Sequence, residues 1–100
     1  MKLASIVLGI VVAAAPAHAA VSGFHDSAEQ IGTILSSPEV ADSLRQAPVD
    51  SITTTGAGGD GLHEWRVRTR DCDLAVHLKP VQPKGIGKTT YLVDTVGECR

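Results

Sequence analysis

The stretch His63–Leu78 (HEWRVRTRDCDLAVHL) constrains the fold of this chain more than any other. Apolar and polar side chains alternate through it, as they do in strands with one buried face. It holds the single Trp, Trp65, and Cys72, the first of two cysteines. A two-residue turn at Arg70-Asp71 divides it into an antiparallel hairpin. Thr69 then faces Cys72, Val67 faces Leu74, Trp65 faces Val76 and His63 faces Leu78. These side chains share one face, because residues on a strand alternate with period two.

The cysteine pair extends the sheet, and its redox setting follows from the N-terminus. Lys2 precedes an apolar run, Leu3–Ala15, that is short for a bilayer span. Pro16 and the small-x-small site Ala17-His18-Ala19 follow, so residues 1–19 read as a cleaved signal peptide. The alternative is an uncleaved membrane anchor, which the short run and the adjacent cleavage site argue against. Residues 20–100 are then one small exported domain, periplasmic or secreted, with no membrane span after cleavage. In an oxidising compartment Cys72 and Cys99 form one disulfide. The spacing is not CxxC and no second pair exists, which disfavours a redox or metal pair of free thiols.

With Cys72 opposite Cys99, Leu74 faces Gly97, Val76 faces Thr95, Leu78 faces Val93 and Pro80 faces Tyr91. The turn and the disulfide agree on which face is apolar: Trp65, Val67, Leu74, Val76, Leu78, Tyr91 and Val93. The other face carries Glu64, Arg66, Arg68 and Arg70, then Asp73, Ala75, His77 and Lys79, then Leu92, Asp94, Val96 and Glu98. A charged face of this kind suits an antiparallel sheet covered on one side only.

The N-terminal half supplies the cover. Ala20–His25 reads as a frayed leader and Asp26–Ser36 as a first helix. Ser27 and Gln30 have capping-box spacing, and Ala28, Ile31 and Leu35 form an apolar stripe. Ser37 as N-cap, Pro38 at the first helical position and Glu39 start a second helix. Val40, Ala41 and Leu44 face one way in it, and Pro48 ends it. Val49–Thr55 is rich in β-branched residues and reads as the first strand. Gly56–Gly61 reads as its hairpin connection, and Val81–Thr90 as the loop between the last two strands. The expected fold is α+β: one or two N-terminal helices on one face of a four-stranded antiparallel meander, with one disulfide.

Composition excludes several functions. Loss of Lys2 from nine Lys+Arg against eleven Asp+Glu leaves a net charge of −3, with no basic excess for nucleic acid. Three aromatics, Phe24, Trp65 and Tyr91, are too few for a base-stacking platform. The segment Pro83–Thr90 ends in Gly-Lys-Thr like a P-loop. A P-loop also needs a glycine where Gln82 stands and a helix where a strand follows. No cofactor is expected.

Two groups of side chains remain. The registers set His77 between Glu64 and Asp94, an arrangement suited to a general base or a metal site. Cross-strand charge pairing on an exposed face is the simpler expectation. Arg66, Arg68 and Arg70, with Lys84 and Lys88 of the long loop, offer a surface for a protein partner. On exposed strands such a row also serves solvation and edge protection.

The run Ile34-Leu35-Ser36-Ser37-Pro38-Glu39-Val40, then Leu44, Pro48 and Trp65, resembles the repeat of β-lactamase-inhibitor-like proteins and BamE (SmpA) envelope lipoproteins, over residues 27–97. The resemblance implies two short helices on one face of an antiparallel sheet, and protein binding. This chain departs from it in lacking a lipidated Cys at the cleavage site, in having room for one repeat, and in carrying Ala47 where the family has Gly. The expected function is an exported binding module acting through a protein partner in the cell envelope, as an inhibitor or accessory, and not an enzyme. The alternative is a small enzyme or metal-binding protein using His77, Glu64 and Asp94.

Overall fold

The computed structural model describes residues 23–57 and 60–100. The leader read over residues 1–19 lies outside them, as do Gly58 and Gly59 of the glycine loop. The order of elements is α1 (Gly23–Leu35), α2 (Pro38–Ser43), β1 (Ser51–Ala57), β2 (His63–Arg68), β3 (Asp73–Val81) and β4 (Thr90–Val96). The strands form one antiparallel meander in the order β1-β2-β3-β4. Both helices pack on it through β4. Among the described residues no helix is long and apolar enough to cross a membrane.

The central hairpin follows the period-two register. His63 pairs with Leu78, Trp65 with Val76 and Val67 with Leu74. The turn closes where Thr69 N–H donates to Cys72 C=O at 2.9 Å. Cys72 and Cys99 are joined by the expected disulfide, with Cα atoms 4.9 Å apart. Closing a loop of this length stabilises a chain by about 3–4 kcal/mol in the chain-entropy account. The core comprises Ile34, Val40 and Leu44 from the helical half, then Trp65, Val67, Cys72, Leu74, Val76, Leu78 and Tyr91.

The β3–β4 register holds at one end only. Leu78 pairs with Val93 and Pro80 with Tyr91, but Val76 pairs with Val96 rather than Thr95. A bulge between these pairs sets His77 against Thr95 and leaves Asp94 as the extra residue. Asp94 and Thr95 are both exposed. Val96, expected on the charged face, instead packs against the core.

The helices start and turn differently from expectation. α1 begins at Gly23, so residues 23–25 are helix rather than frayed leader, and Ser27 and Gln30 lie inside it rather than capping it. Its buried residues are Gln30 and Ile34, with Ile31 packed beside them, whereas Leu35 is 53% exposed and Ala28 faces out. The buried stripe is therefore rotated from Ala28–Ile31–Leu35 towards Asp26–Gln30–Ile34. α2 starts as the sequence indicates: Pro38 opens it and Val40 N–H donates to the Ser37 hydroxyl at 3.3 Å. It is shorter than expected, because Arg45 and Gln46 take left-handed φ values of 56° and 57° well before Pro48. β1 begins at Ser51 rather than Val49, and Asp50 N–H already reaches Arg68 C=O at 2.7 Å.

Candidate functional site

The strand alternation that buries Trp65, Val67, Leu74, Val76 and Leu78 turns their neighbours outward, onto a face that neither α1 nor α2 covers. A polar row crosses that face from strand to strand. The Thr55 hydroxyl donates to Glu64 Oε1 at 2.9 Å. Glu64 Oε2 lies 3.7 Å from His77 Nε2, and His77 Nδ1 lies 3.2 Å from the Thr95 hydroxyl. Thr95, set there by the bulge, holds the ring from the side where the sequence register had put Asp94. Among the described residues no three His, Cys, Asp or Glu side chains are grouped to hold a metal ion. The row fixes the His77 ring without enclosing it in a pocket.

One strand pair further along, Asp73 gathers two arginines. Arg66 Nε lies 3.1 Å from its Oδ1 and Arg68 Nε 3.2 Å from its Oδ2. Exposed pairs of this kind contribute about 0–1 kcal/mol each. Leu92 adds an apolar group to the same face, 60% exposed beside Lys79. The open face is thus flat and charge-balanced, with one bare leucine.

The five cations expected to form a partner surface do not lie together. Arg66 and Arg68 share Asp73 on the open face. Arg70 lies in the β2–β3 turn, and Lys84 in the 82–89 loop at the far end of β3. The nine residues of β3 separate those ends by about 30 Å at about 3.3 Å per residue. Lys88 turns to the helical side, where its Nζ lies 2.8 Å from Glu29 Oε1 of α1. Ile86, at the tip of that loop, is fully exposed.

The helix-covered face holds a polar group that apolar periodicity did not reveal. The buried Trp65 indole N–H donates to Gln30 Oε1 at 2.8 Å. Gln30 Nε2 donates to Asp26 Oδ2 at 3.0 Å, and the Tyr91 hydroxyl donates to Asp26 Oδ1 at 2.8 Å. Gln30 is 5% exposed, so its amide is held entirely by these partners. Burial and the adjacent Asp26 carboxylate push the Tyr91 hydroxyl up to about 12. The network ties β2, α1 and β4 together, and its groups are already paired, so it serves to lock the helix. Two signals for it lay in the sequence: Asp26, Gln30 and Ile34 recur every fourth residue, and a single buried Trp needs an acceptor.

Two hollows remain. One lies beside the disulfide, edged by Ser43, Arg45, Thr69, Asp71 and Glu98. The other is an apolar groove between the helices and the link to β1, with Leu35 and Val49 on its rim.

No protein-family model, curated protein or solved structure matches this chain.

Proposed function

We propose that this chain is an exported binding module that acts through a protein partner, as an inhibitor or envelope accessory. The open sheet face carries the proposal: Leu92 stands bare beside Lys79, and further along the same face Arg66 and Arg68 are paired with Asp73. Such a surface meets a partner by shape and an apolar contact at Leu92, with the paired arginines as polar contacts further along the face. The resemblance to the β-lactamase-inhibitor-like and BamE repeat favours the same class. The Cys72–Cys99 disulfide fits an oxidising compartment, where a partner would be met.

The test is comparative capture from a cell-envelope extract. The disulfide-bonded protein retains a partner, and a Leu92→Glu/Arg68→Glu variant retains at least tenfold less. Equal capture by the two proteins contradicts the proposal.

A further inference from the structure

A four-stranded meander has two edges, and those of this sheet are treated differently. β4 lies under both helices, carries Asp94 and is interrupted by the bulge at Asp94-Thr95. Helix cover, charge and bulges are devices that keep edges from pairing with other chains. β1 (SITTTGA) has no charged residue and no proline, and its irregularity comes only after Thr54. The helices pack at the opposite side of the sheet. Among the described residues no strand pairs with the other side of β1, which presents a row of backbone donors and acceptors, backed by strand-forming Ile and Thr.

We propose that β1 is a self-pairing edge through which two copies of this chain join their sheets. In antiparallel self-pairing, every side chain near the two-fold axis meets itself or a close neighbour, so a charge there would repel its own copy. With the axis at Ile52, Ile52 meets its counterpart, Ser51 meets Thr53, and Asp50 meets Thr54. No like charges oppose, and the bulge after Thr54 falls outside the paired segment. Ile52 lies on the helix-covered face beside Val67, where it is half-buried, and its counterpart extends that apolar surface. The helical layers stay apart, because both sit over the β4 sides. The paired segment is short against the roughly 800 Å² per partner of a standard interface, so the dimer is reversible and tracks concentration.

Sedimentation equilibrium from micromolar to millimolar protein tests this. The expected mass rises from monomer to twice monomer. A Ser51→Lys/Thr53→Lys variant stays monomeric throughout, and Leu92→Lys, on the other edge strand, dimerises as the parent does. A parent that is monomeric at every concentration overturns the proposal, as does a dimer that persists in the double-lysine variant. Amide exchange of the parent covers the case in which that variant misfolds. The β1 amides slow at least tenfold between dilute and concentrated samples, and unchanged β1 exchange overturns the proposal.

Discussion

On the helix-covered face of the sheet, Val67, Leu74, Val76 and Leu78 are shielded completely from water, while on the open face Arg66 and Arg68 meet Asp73, and His77 meets Glu64, in solvent. Both sets come from the same two strands, one residue apart. The covered face derives its energy from apolar burial, about 25 cal/mol per Å², and from a polar network with every member paired. The open face holds ion pairs of a few tenths of a kcal/mol, which water and salt screen. Substitutions should therefore register as lost stability on one face and as lost partner affinity on the other.

The largest expected effect is on the covered face. Leu78→Ala should cost about 2–5 kcal/mol in urea unfolding, because Leu78 is fully buried in the core. A cost below about 1 kcal/mol would mean that the helices do not close over β3. Gln30→Ala comes next, at about 1–3 kcal/mol, since it leaves the buried Trp65 N–H without its acceptor. Trp65, the only Trp, reports both transitions by fluorescence.

Alkaline titration tests the same network from its other end. The Tyr91 hydroxyl has its ordinary value of 10.0 in the unfolded chain and about 12 when folded. Its raised value favours the neutral, folded form, so this contribution is fully present below pH 10.0 and is lost as pH rises towards about 12. The chain has one Tyr, so tyrosinate absorbance reads the site directly. Tyr91→Phe should flatten this part of the stability profile. The smallest effect belongs to the open face: Asp73→Ala should cost about 0–1 kcal/mol, although it frees two arginines.

What the sequence made legible tracks these two faces. The β2–β3 hairpin was readable because a two-residue turn and strict alternation allow only one register. The disulfide carried the register to Leu78–Val93 but not past the bulge. That bulge had a sign in the sequence: Val93 and Val96 are both core-facing yet three residues apart, an odd spacing that a regular strand cannot bury on one side. The α1 stripe was misplaced because two of its inward residues, Asp26 and Gln30, are polar. Apolar periodicity counts such positions as solvent-facing, and the need of Trp65 for an acceptor, with the every-fourth-residue spacing to Ile34, identifies them. That the arginines and lysines lie on separate parts of the molecule stayed hidden for a different reason. Strand parity places side chains on a face, but it does not show that Arg66 and Arg68 share one carboxylate, or that Lys88 reaches back to α1.

The division between a structural face and an available face is tested most directly by one pair of urea unfolding curves. A triple variant of the open face, Arg68→Ser/His77→Ser/Leu92→Ser, is compared with the single substitution Gln30→Ala. The account predicts that the triple variant loses less stability than the single one, with Trp65 fluorescence unchanged in its folded state. A triple variant that loses more would show that the open face also holds the fold together, and would contradict the account.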